Sequence, residues 1–131
     1  MTLSDFLRLF MEYAGDEHNV KSFPQPNARA WHIFLWNVRC VFHSEGLPHD
    51  YFGGFSFNDK EKMPESNEFM NALEQLSVLC HTRHPDWRLM LYPKAYRREL
   101  CSLSRIEDQN RMRSIEVAFA FAMRTDDFFE L

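Results

Sequence analysis

Apolar residues recur at helical spacing over residues 2–14, where Leu3, Phe6, Leu7, Phe10 and Tyr13 share one stripe. Thr2 and Asp5 stand at capping-box spacing, and Gly15 is placed to end that helix. Residues 16–26 contain two prolines and read as a connector. Asn27 is placed to cap a second helix that reaches about Ser44, with Gly46 and Pro48 closing it. Its stripe is broad, with Trp31, Phe34, Leu35, Val38, Val41 and Phe42 in the middle and Ile33, Trp36 and Cys40 on the flank. A helix apolar around that much of its circumference is expected to be the central, buried one.

Further along, Tyr51, Phe55 and Phe57 alternate about Gly53-Gly54, the pattern of a short strand with a bulge or bend. Residues 58–65 are polar and read as a loop. Ser66, following Pro64, is placed to cap a third helix over 67–82 with the stripe Phe69, Met70, Leu73, Leu76, Leu79 and Cys80. His84-Pro85 then stops it. Residues 87–92 alternate and predict a strand. Over 104–124 two patterns compete. Ser104 and Glu107 repeat the capping-box spacing, no Gly or Pro intervenes and three alanines favour a helix, while IEVAFAFAM alternates large and small as a strand does. The pattern predicts one compact domain over residues 1–131, mostly α (α+β), with about four helices and a small antiparallel sheet of two or three short strands. The last residues, 125–131, are expected to be a docked or flexible tail.

This layout resembles the winged helix, in which the third helix presents itself and the strands form a small sheet or wing. The residues that carry the resemblance are AWHIFLWNVRCVFHSEG, LPHDYFGGFSFND, PESNEFMNALEQL and WRLMLYP. They are similar to uncharacterised prokaryotic and phage winged-helix-like domains, where a short aromatic strand precedes a G-P-x-S turn and a helix begins at the Ser. Here the turn is Met63-Pro64-Glu65-Ser66, without the glycine. The resemblance covers about 75 residues and rests on element order; it implies a fold and not an activity.

At 131 residues and 45% apolar composition, the chain can bury a single core. Its first residues, MTLSDFLRLF, lack a basic leader ahead of an apolar run, so no signal peptide is expected, and no apolar run approaches membrane-spanning length. Three widely spaced cysteines (Cys40, Cys80, Cys101) point to free thiols and a cytoplasmic setting. The net charge of −4 hides an asymmetry: nine basic residues face five acidic ones between Arg83 and Arg124, so this stretch carries about +4 and the remainder about −8. Either the two parts neutralise each other across the fold or the arginines form an anion-binding face.

The outer face of the third helix decides between partners. It carries Asn67, Glu68, Asn71, Glu74, Gln75 and His81, with two carboxylates and no Lys or Arg. A major-groove reader needs Arg, Lys, Asn or Gln there, and carboxylates oppose the counterion release that drives binding to nucleic acid. Nucleic-acid contact would instead fall to Arg97, Arg98, Arg105, Arg111 and Arg113. Six histidines raise metal chemistry, and the densest cluster is Cys80, His81 and His84, but no second ligand pair at metal spacing completes a tetrahedron. There is no G-x-S-x-G elbow and no phosphate-cradling Gly-rich loop, so neither a catalytic constellation nor a cofactor is expected. TDDFFEL at the chain end offers Phe128 and Phe129 either as a plug on the core or as a linear motif. The reading is a non-enzymatic cytoplasmic binding or regulatory protein, of a kind expected in phage or mobile elements. It would meet a protein partner or its own copy through Glu68, Asn71, Glu74, Gln75, Phe128 and Phe129, with no membrane role. The alternative is a winged-helix-like nucleic-acid-binding transcriptional regulator.

Overall fold

The computed structural model describes residues 2–48, 50–52, 57–58, 63–64, 66–96 and 109–130. Helix α1 (Leu3–His18) starts at the expected capping box. Thr2 Oγ1 accepts from the Asp5 amide at 3.2 Å and the Asp5 carboxylate accepts from the Thr2 amide at 2.9 Å. The helix runs through Gly15 and ends at Asn19, which takes the left-handed conformation at φ 55. Asn tolerates that conformation, and the helix gains another turn. Strand β1 (Ser22–Phe23) lies within the stretch expected to be a plain connector. Helix α2 (Arg29–Glu45) begins after Ala28 rather than Asn27, with no side-chain cap bond, and closes at Gly46 (φ 67) as expected. Trp31 donates its indole N–H to the Pro24 carbonyl at 2.8 Å, tying the connector to the helix.

Asp50–Phe52 form a 3₁₀ turn instead of entering a strand, because Tyr51 and Phe52 both turn into the core. The stretch expected to be a loop carries a small hairpin of β2 (Phe57–Asn58) and β3 (Met63–Pro64). Helix α3 (Ser66–Glu74) is shorter than the predicted 67–82. Residues 75–79 tighten into turns, with Leu76 N–H on Leu73 O at 2.9 Å and Leu79 N–H on Leu76 O at 2.8 Å. Cys80–Arg83 then form β4, since pairing with β5 (Arg88–Leu91) satisfies their backbone. Residues 94–96 make a helical turn. Helix α4 (Gln109–Arg124) settles the competition over 104–124 for its described part. Ser114, Ile115, Ala118, Phe119 and Ala122 are buried at helical spacing. The proposed cap at Ser104 and Glu107 lies outside the described residues.

Strands β1, β5 and β4 form an antiparallel sheet in the order β1-β5-β4. The register sets Phe23 against Leu89 and Cys80 against Leu91. The fold is therefore mostly helical with a small antiparallel sheet.

One core cluster joins all these layers. Phe6 lies at its lower end, with ring centroids 5.2 Å from Tyr51, 5.7 Å from Phe52 and 6.1 Å from Phe10. Phe34 of α2 lies 4.8 Å from Phe10 of α1. Small side chains Ala118 and Ala122 let α4 approach. We expect Phe6→Ala, which removes a fully buried ring, to cost about 3–5 kcal/mol by urea unfolding.

Candidate functional site

Helix α3 buries Phe69, Ala72 and Leu73, and Ser4 of α1 fastens it by donating to the Ala72 carbonyl at 3.3 Å. Asn71, Glu74 and Gln75 face solvent as the periodicity predicts. The side chain of Glu68 lies outside the described residues. Met70 corrects the sequence reading. It was placed in the buried stripe but is 41% exposed, and Val78 in the following turns is 42% exposed. With the helix ending at Glu74, Phe69 and Leu73 point inward and Met70 shares the outer side with Glu74, one turn away. The face is thus an acidic and amide surface with two apolar side chains.

The Cys80, His81 and His84 cluster does not converge. Strand alternation turns Cys80 into the core, where burial pushes its thiol up to about 11 and its Sγ contacts the Leu76 carbonyl at 3.7 Å. His81 is exposed with its ring 4.8 Å from Tyr92, and His84 sits 5.2 Å from the Trp87 ring at the hairpin turn. No group of three His, Cys, Asp or Glu among the described residues could hold a metal ion. His32 is buried on α2 beside Phe69, and that burial holds its pKa below the ordinary imidazole value.

Of the two expectations for the arginines, neutralisation across the fold or an anion-binding face, the described pairs follow the first. Arg111 grips Asp50 through both carboxylate oxygens, at 3.1 and 3.4 Å, and its guanidinium lies 5.0 Å from the Tyr51 ring centroid. Burial works against the charge on Asp50, yet the Arg111 hydrogen bond and charge hold the carboxyl below its ordinary value. Arg113 is exposed; Arg97, Arg98 and Arg105 lie outside the described residues. Arg83 holds both Asp86 and Glu130, and Arg88 donates to Ser22 Oγ at 3.3 Å and to the Phe128 carbonyl at 2.9 Å. Neither Arg83 nor Arg88 stood among the predicted site residues. The available signal was the arginine surplus set against the acidic chain end.

That tail is docked. Phe128 is wholly buried and Phe129 half-buried, so as folded neither is free to meet a partner. Beside the tail a cleft of about 550 Å³ opens between the end of α1, β1 and α4, lined in part by His18, Lys21, Phe119 and Met123. His18 stacks on Phe119 at 3.9 Å and bonds the Tyr13 hydroxyl through Nε2 at 3.2 Å. Ser22 Oγ in the cleft wall donates to Glu130 at 2.9 Å and accepts from Arg88 Nε at 3.3 Å, so it is tied into the contacts that hold the tail.

No helix among the described residues is long and apolar enough to cross a membrane. Comparison with protein-family models, curated proteins and solved structures finds no match.

The hairpin carries a pH dependence of known sign. A hydrogen bond from Arg83 holds the Asp86 carboxyl at about 2, and Arg83 followed by Ser22 holds that of Glu130 below its ordinary value. Both pKa values are lower folded than unfolded, so their contribution is present above the unfolded value of ~4 and is lost as pH falls towards the folded one. We expect calorimetric Tm to drop over that window in the wild type and to drop less in Arg83→Ala.

Proposed function

We propose that the chain is a non-enzymatic, winged-helix-like binding protein that docks a protein partner through the outer face of α3. The observation that carries the reading is the composition of that face. Asn71, Glu74 and Gln75 are exposed together with Met70 and, in the turns that follow, Val78, and residues 66–79 contain no Lys or Arg. Such a surface fits a partner that offers basic side chains around an apolar spot, where charge complementarity speeds encounter and apolar contact slows release. It is a poor match for a polyanion, because each carboxylate brought to a phosphate backbone opposes binding.

The winged-helix-like part of the reading is supported by the order of elements. A strand lies between the first two helices, the third helix is followed by a hairpin, and the sheet order is β1-β5-β4. A cytoplasmic setting is supported by the free thiols of Cys40 and Cys80. The alternative, a nucleic-acid-binding regulator, rests on Arg97, Arg98, Arg105 and Arg113. Arg111 is withdrawn from it by the pair with Asp50.

The test pairs affinity capture with two surface variants. Glu74→Lys and Val78→Asp alter exposed positions, so their stability should stay within about 0.5 kcal/mol of wild type. Each is expected to weaken the captured partner on the order of tenfold or more. The reading falls if the variants bind like wild type, or if DNA or RNA is retained at ~50 mM salt and released at high salt.

A further inference from the structure

The end of the chain is held the way a bound peptide is held. Phe128 fills a pocket of rings, with centroids 4.9 Å from Trp31, 4.8 Å from Phe34 and 5.9 Å from Phe10. Phe129 rests on a shelf, 6.1 Å from Phe23 and 5.3 Å from Phe119. Glu130 stays at the surface, where Arg83 donates to both carboxylate oxygens at 2.8 and 3.2 Å and Ser22 donates to one of them. Arg88 grips the main chain by donating to the Phe128 carbonyl. A deep anchor pocket, a second apolar subsite, a main-chain contact and a cationic fork are the elements by which peptide segments are recognised.

The groups that build this site belong to α1, α2, β1, the β4–β5 hairpin and α4, all of which precede the tail in the chain. The occupant is neither helix nor strand. It is a short turn segment in which the Phe128 amide donates to the Thr125 carbonyl at 3.2 Å and Asp127 takes a positive φ of 61. The ring that closes the core therefore sits on a segment outside every helix and strand, so its release would break no helix or sheet hydrogen bond.

We infer that this groove is a binding site for a peptide segment with two adjacent aromatic residues followed by a carboxylate, and that residues 125–130 occupy it in cis as a gate. The partner is a protein that displays such a segment. A basic residue in the third position would meet Arg83 and be rejected. This inference is independent of the docking face on α3.

The full-length variant Phe128→Ala/Phe129→Ala/Glu130→Ala removes the side chains that fill the groove; because Phe128 is a fully buried ring, its fold is checked first by circular dichroism. The probe is a labelled peptide, TDDFFEL, with the sequence of residues 125–131. The emptied variant should bind it at least about tenfold more tightly than wild type, where the cis tail competes at an effective concentration of about millimolar. Replacing the peptide's Glu by Lys should weaken binding on the order of tenfold. An emptied variant that is folded by circular dichroism and takes up no peptide overturns the proposal. Should that variant not fold, native-state hydrogen exchange of the wild type decides. A gate requires the amides of 125–130 to exchange at least about a hundredfold faster than those of α2, and exchange only through global unfolding overturns it. A wild-type dimer that the emptied variant cannot form puts the tail in a second copy and overturns gating in cis.

Discussion

Burial of the rings around Phe34 is the interaction on which the rest of this molecule depends. Phe10 comes from α1, Phe34 and Trp31 from α2 and Phe128 from the tail, and these four rings meet within 6.1 Å of Phe34 or Trp31. Each buried aromatic side chain removes a large apolar area from water, worth roughly 1.5–3 kcal/mol. The sheet depends on this burial. A strand of two residues such as β1 has no stability of its own, and it persists because Phe23 is driven into the ring cluster while pairing with Leu89.

The ion pairs named above lie at partly exposed positions around that core. The arginine-rich later part of the chain meets the acidic remainder through specific pairs, Arg111 with Asp50 and Arg83 with Glu130, and Arg83 also pairs locally with Asp86. Two of these contacts join positions far apart in the chain, which is how the sequence asymmetry of about +4 against −8 is partly cancelled in the fold. Glu74 on α3 shows no such engagement with these arginines and faces solvent among amides and apolar side chains. The proposed docking face therefore keeps its acidic character, while Arg83 and Arg88 of the β4–β5 hairpin hold the tail.

The departures from the sequence-based elements share one cause. Leu76, Leu79 and Cys80 stay buried whether residues 75–82 are helix or turn plus strand, so hydrophobic period alone could not place the end of α3. The strand form wins because β5 supplies partners for the backbone of Cys80–Arg83. The same holds for Ser22–Phe23, whose neighbourhood of prolines and polar residues carries no strand signal. The metal cluster dissolved for a related reason, since strand alternation sends Cys80 and His81 to opposite faces.

Local chemistry written in the chain was enough to determine the capping of α1, the glycine stop of α2, the central stripe of α2 at Trp31, Phe34, Leu35, Val38 and Phe42, and the solvent side of α3 at Asn71, Glu74 and Gln75. These depend on side chains a few residues apart, where spacing alone dictates geometry. The flank of α2 was not among them, since Ile33 and Cys40 are exposed. Only the tertiary structure decided that Met70 is exposed, that β1 joins the sheet, that Arg83 and Arg88 close on the tail, and that Phe128 belongs to the core. Those outcomes require residues tens of positions apart to meet, and such meetings are set by how the ring cluster packs, which no short stretch of sequence specifies.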